Sequence, residues 1–186
     1  MTSRARELLR EALTLPIAER ADVAAELLAS LDAAEADNPA EVEAAWAAEI
    51  ERRARRAIAG ESAGIPLGRR TATRGGRTSP TFVNPRVRFE PEADEEYRNA
   101  GRWYETRRQH LGVEFLDAVD ATIDQILRLP DAGALVARMP ADLPVRRRAV
   151  SRFPYHVFYL HIENQIRILA VAHDRRKPGY WSERLT

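Results

Sequence analysis

Residues 145–186 constrain the fold more than any other stretch of the chain: VRRRAVSRFPYHVFYLHIENQIRILAVAHDRRKPGYWSERLT. Apolar and polar residues alternate here with the period of half-buried strands. Glu163-Asn164 supplies a tight turn signal. Three strands are expected, at about 145–152, 156–162 and 166–172. Arg146, Arg147, Arg148, Arg152, Arg167, Arg175, Arg176, Lys177 and Arg184 stand against Glu163, Asp174 and Glu183, a net charge of +6. A curved sheet with that charge suits a polyanion such as RNA or DNA, or an acidic protein. A solvated basic sheet with no ligand has the same pattern.

The residues before it complete a domain. Val87-Arg88-Phe89 reads as a short strand, and Glu90-Pro91 opens a helix with Ala93, Tyr97, Ala100 and Tyr104 on one face. Gly112 punctuates. A second helix carries Phe115, Leu116, Val119, Ile123, Ile126 and Leu127 and stops at Pro130. The order is β-α-α-β-β-β, an α+β fold with a helical hairpin on one face of a small antiparallel sheet.

The first sixty residues are helical instead. Ala5, Leu8, Leu9, Ala12 and Leu13 form one apolar stripe, and Ile17, Ala21, Ala24, Leu27, Leu28 and Leu31 a second after the break at Pro16. Asn38-Pro39-Ala40-Glu41 is a third start signal, followed by Val42, Ala45, Trp46, Ile50, Ala54, Ala57 and Ile58, with Gly60 at the end. Some sixty Ala-rich residues are marginal alone. Their stripes are expected to bury against a partner surface or a copy of themselves. Between the halves, residues 61–86 are rich in Arg, Gly and Pro and read as a linker or extended arm.

Charge is segregated. Residues 1–60 hold 8 basic and 12 acidic groups, net −4, and residues 61–186 hold 21 and 16, net +5. Oppositely charged halves attract each other. The 186 residues suffice for one domain or two small ones, and cysteine is absent, which excludes disulfides, thiolate metal sites and cysteine nucleophiles. No apolar run approaches the roughly 18 residues of a membrane span, and the N-terminus is read as neither signal peptide nor anchor. A cytoplasmic protein without cofactor, metal or membrane contact is expected. No nucleotide loop, metal-ligand cluster or Ser-His-Asp arrangement stands out.

Residues 87–186 resemble the RelE/ParE superfamily of bacterial toxins. The likeness rests on the element order, on Gly112-Val113-Glu114-Phe115-Leu116, on Val145-Arg146-Arg147 and on Arg152-Phe153-Pro154-Tyr155 followed by Val157 and Tyr159. It rests also on the ending His173-Asp174-Arg175-Arg176-Lys177-Pro178-Gly179-Tyr180-Trp181. Residues 13–67 are similar to the small addiction-module-component antitoxins. The motifs there are Leu15-Pro16-Ile17-Ala18-Glu19-Arg20, Leu27-Leu28-Ala29-Ser30-Leu31-Asp32, Ala45-Trp46-Ala47-Ala48-Glu49-Ile50-Glu51-Arg52-Arg53, Gly60 and Ile65-Pro66. Such antitoxins are normally separate chains, so the resemblance implies a toxin–antitoxin fusion. Its divisions are residues 1–60, 61–86 and 87–186.

RelE-like toxins cleave messenger RNA on the ribosome, and ParE-like toxins inhibit DNA gyrase by protein contact. The resemblance leaves both targets open, and with them whether the chain is an endoribonuclease. Cleavage needs a base, an acid and cations around the phosphate. By resemblance Arg146, Arg148 and Arg175 fall where the nucleases place basic residues. His156 replaces an arginine there, and Trp181 replaces a tyrosine and has no titratable group. His173, beside Arg175 and Arg176, is the candidate base. The set carried forward is His173, Arg175 and His156 for catalysis, and Arg146, Arg148, Arg152, Arg176, Lys177 and Trp181 for RNA or target binding. Leu27, Leu28, Leu31, Trp46 and Ile50 are expected to cover the toxin face. Tyr155 and Tyr159 are expected to pack. The alternative is a basic module without enzymatic activity that binds nucleic acid or protein and forms a homodimer through its N-terminal helices.

Overall fold

A computed structural model describes residues 2–17, 19, 20, 22–24, 27, 38–66, 87–162 and 165–179. Its helices start where the sequence signals them. Helix α1 spans Ser3–Thr14, with the Thr2 hydroxyl accepting from the Ala5 N–H at 3.3 Å. Helix α2 spans Pro39–Ile58; the Asn38 side chain accepts from Ala40 N–H at 3.0 Å, and Pro39 sits in the first turn, where its missing N–H costs nothing. Residues 17, 19, 20, 22–24 and 27 are helical too.

The rest is built from strand β1 (Ile65–Pro66), β2 (Val87–Phe89), helices α3 (Pro91–Arg107) and α4 (Leu111–Arg128), and strands β3 (Ala134–Leu135), β4 (Arg146–Ala149), β5 (Tyr155–Ile162) and β6 (Gln165–His173). They form one six-stranded sheet in the order β1-β2-β6-β5-β4-β3. The expected antiparallel sheet is in fact mixed, because β2 runs parallel to β6, Val87 beside Ile166 and Phe89 beside Ile168. Helices α3 and α4 and strands β3, β4 and β5 all lie between the two in the chain, a crossover of the length a parallel pair requires. Strands β1 and β3 were not legible in the sequence, since two residues carry no alternation. Ile65 and Pro66, assigned by sequence to the linker, pair antiparallel with Phe89 and Arg88. The turn expected at Glu163-Asn164 lies outside the described residues.

The sheet is covered on both faces. On one, α3 and α4 bury Tyr97, Tyr104, Phe115, Val119 and Ile123 against Val87, Phe89, Tyr155, Val157, Tyr159 and Ile168. On the other, α2 buries Val42, Trp46, Ile50 and Ala54 against Leu143, Val145, Phe158, Leu160, Leu169 and Ala170. Gly112 does more than punctuate: a Cβ there would lie 2.3 Å from the Gly101 carbonyl oxygen, so a side chain would push α3 and α4 apart.

Candidate functional site

The face of the sheet under α2 joins an apolar stripe to buried ion pairs. Val42, Trp46, Ile50 and Ala54 recur every four residues and place one stripe on the sheet. Trp46 stacks on Phe158 with ring centroids 6.3 Å apart and planes within 7°. Its indole Nε1–H donates to the Arg176 carbonyl at 2.6 Å. Ile50 is fully buried. A side chain of that kind contributes roughly 1.5–3 kcal/mol by leaving water.

Arg53 lies on the same stripe and is 3% exposed. Its Nη1 donates to the Leu169 carbonyl at 2.8 Å, its Nη2 to Glu96 Oε1 at 2.8 Å and its Nε to Glu49 Oε1 at 2.7 Å. Glu96 comes from α3, and its Oε2 accepts from the Val171 N–H at 2.9 Å. The backbone explains why these groups meet. Strand β2 ends at Phe89, opposite Ile168, so among the described residues β6 has no strand beside it on that side from Leu169 onward. The pairing of β5 with β6 slips at Phe158/Tyr159, leaving Leu169 without a partner residue. A carboxylate and a guanidinium stand in for the missing strand.

A second cluster closes the same edge. Arg56 of α2 donates to Glu92 at 2.6 and 2.8 Å and to Glu90 at 3.0 Å. Glu90, fully buried, is also held by Arg167. Arg167 donates to the Ser62 carbonyl at 2.8 Å, and Arg88 to the Ala63 and Gly64 carbonyls at 2.7 and 3.2 Å. Gly64 adopts φ +61°, and a Cβ there would meet Arg88 and the Arg167 guanidinium at 3.0–3.2 Å. Arg56 holds the Glu92 carboxyl well below the usual range, at about 2. Burial pushes Glu96 up to about 7, although Arg53 and the Val171 amide draw it back.

The sequence-selected residues divide three ways. Trp46 and Ile50 are buried between α2 and the sheet. Leu27 is 61% exposed, because Val42, Trp46, Ile50 and Ala54 already fill the face it was expected to cover. Leu28, Leu31 and Trp181 lie outside the described residues.

The two histidines lie on opposite faces, His173 beside Tyr155 in register and His156 beside Ala172. His173 is 2% exposed, and its Nδ1 accepts from the Arg175 N–H at 3.1 Å. His156 Nδ1 lies 2.6 Å from Asp174 Oδ1. Arg146 donates to the Gly133 carbonyl and Arg148 to the Gln125 side chain. Arg152 is shared by Asp22 and Glu114. Lys177 pairs with Glu41 at 2.8 Å, and Arg176 is buried at 7% exposure. Arg175 is exposed. Tyr155 and Tyr159 pack in the core, with the Tyr159 hydroxyl donating to the Pro130 carbonyl at 2.7 Å. Among the described residues no group of three or more side chains is placed to hold a metal ion, and no helix is long and apolar enough to cross a membrane.

Sequence reasoning missed Arg53, Arg56, Glu90 and Glu96. One signal was available: Arg53 falls seven residues after Trp46 and three after Ile50, on the stripe itself. A charge in a buried stripe calls for a buried partner.

Residues 14–68 match the family model described as "Putative addiction module component", and residues 87–178 match that described as "ParE toxin of type II toxin-antitoxin system, parDE". No curated protein matches the chain.

Proposed function

We propose that this chain, an addiction-module antitoxin-like segment followed by a ParE toxin domain, is a toxin neutralised by its own N-terminal segment. The observation that carries the reading is the docking of α2. It buries Trp46 and Ile50 on the sheet and inserts Arg53 between Glu96 and the open edge of β6. Strand β1 adds to the opposite side of β2 and extends the same grip. Residues 39–66 act as the inhibitor and residues 87–186 as the toxin, with the intervening residues a tether that keeps the two at high effective concentration.

The target is DNA gyrase, inhibited by protein contact. Support comes from the ParE match and from His173. A general base has to reach the proton it removes, whereas His173 is buried and its Nδ1 is engaged by the Arg175 amide. The test uses purified full-length chain carrying Trp46→Asp and Ile50→Asp, added to a gyrase supercoiling assay and to a translating messenger-RNA cleavage assay. Inhibited supercoiling with intact RNA is expected, and the wild-type chain leaves both unchanged. RNA cleavage with normal supercoiling would instead give the chain the endoribonuclease activity. Steeply salt-dependent nucleic-acid binding with neither effect would make it a binding module.

A further inference from the structure

The contacts that hold residues 39–66 on the domain differ in what they ask of it. The stripe of Val42, Trp46, Ile50 and Ala54 asks only for an apolar face, and such faces repack around changed side chains at small cost. The residues before β1 offer backbone carbonyls: Ser62 accepts from Arg167, and Ala63 and Gly64 accept from Arg88. Every residue has a carbonyl, so this contact reads no side chain. Arg56 meets Glu92 at a half-buried edge, where an ion pair contributes little. Its other partner, Glu90, is held by Arg167 as well.

Arg53 asks for more. It interrupts the apolar stripe between Ile50 and Ala54 and is nearly inaccessible. Glu49, one of its two carboxylate partners, lies on α2 itself and travels with it. The other, Glu96, belongs to the domain and is equally buried, with its second oxygen on the Val171 N–H. A domain lacking that carboxylate leaves the guanidinium in a dry interface with no counter-charge opposite. An inhibitor lacking the arginine buries a bare anion. Either mismatch is costly, whereas the matched pair adds little beyond a well-packed apolar contact. A contact with that asymmetry sorts partners more than it strengthens them. We infer that Arg53 is the specificity-determining residue of the inhibitor segment, which recognises a toxin domain by a buried carboxylate at the position of Glu96 on α3. The inference rests on the neutralising role proposed above for residues 39–66. Domains with an apolar or basic side chain at that position fall outside the segment's range.

The test reads docking in the full-length chain by hydrogen exchange of the α2 amides, with the α4 amides reporting the fold of the domain. Glu96→Gln keeps an oxygen for the Val171 N–H and removes the charge. With Arg53 in place it should speed α2 exchange at least about tenfold, because the arginine loses its counter-charge. In a chain carrying Arg53→Met the same substitution should slow α2 exchange at least about tenfold, because the bare carboxylate is gone. Exchange in α4 should stay the same throughout. Glu92→Gln, at the half-buried edge, should speed α2 exchange by less than about tenfold. A Glu96→Gln effect of one sign in both chains would overturn the inference. An equal effect on α4 would overturn it too, by making Glu96 a residue of the domain's own fold. So would a larger effect at Glu92 than at Glu96. The readout is docking and not activity. Its failure would leave neutralisation standing, and a Trp46→Asp, Ile50→Asp chain without effect on gyrase would leave the docking result standing.

Discussion

Glu96 and Arg53 show what a single residue does here. Each is nearly inaccessible, and each satisfies both the other and a backbone group of β6 that no strand reaches. Removing one partner of such a pair leaves a buried charge or a bare backbone group, at a cost of about 3–5 kcal/mol. Arg53→Met is therefore expected to destabilise the chain by that amount in chemical denaturation. The pair also makes stability depend on pH. Burial lifts Glu96 from 4.5 to about 7 in the folded chain. Between those values the folded state holds a proton that the unfolded state has released. Its contribution is fully present below pH 4.5 and is lost as pH rises through 7, on the order of 3 kcal/mol in all. Glu92, lowered to about 2, works in the opposite sense at lower pH: its contribution is present above 4.5 and lost as pH falls through 2. Thermal melts should show the midpoint falling from pH 5 to pH 7, and Glu96→Gln should flatten that slope. Equal slopes in both proteins would refute the assignment.

At the scale of the element, the helices and the strands with alternating apolar positions were legible, down to the three residues of β2, and the two-residue strands were not. The stripe of α2 put Trp46 and Ile50 on one face of the helix, because a four-residue recurrence fixes that face, and both are buried. The hairpin α3–α4 and strands β4, β5 and β6 followed from apolar periodicity. Strands β1 and β3, two residues each, have no period to read. They form because an exposed strand edge lies next to them. The parallel pairing of β2 was hidden for a related reason: its direction depends on the path of the two helices and three strands that separate it from β6. Gly112 separates two rules that disagree. Helix propensity favours alanine by up to about 1 kcal/mol, whereas the Gly101 carbonyl 2.3 Å from the new Cβ opposes it. Overpacking costs about 1–3 kcal/mol, so Gly112→Ala should lower the melting temperature. Ile50→Ala should cost about 2–5 kcal/mol by leaving a cavity.

Over the whole molecule, net charge gave the right attraction for the wrong reason. The acidic N-terminal and basic C-terminal halves do meet, and Lys177–Glu41 and Arg152–Asp22 follow that polarity. The central pairs run the other way, with Arg53 and Arg56 of the acidic half entering Glu90, Glu92 and Glu96 of the basic half. Summed charge describes long-range attraction between surfaces, and it does not see which side chains face inward. The candidate site was legible only in its apolar part for the same reason: the partners of Arg53 are 43 and 116 residues away in sequence. Helix α2 covers Phe158, Leu160 and Leu169 and engages the carboxylates of Glu90, Glu92 and Glu96.

The central claim is that residues 39–66 restrain the domain that follows them, and bacterial growth tests it most directly. The full-length chain, the chain with Trp46→Asp and Ile50→Asp, and residues 81–186 alone would each be induced in a host, with soluble expression confirmed. The account predicts normal growth with the full-length chain and arrest with the other two. Normal growth with all three, from folded and well-expressed protein, would contradict it.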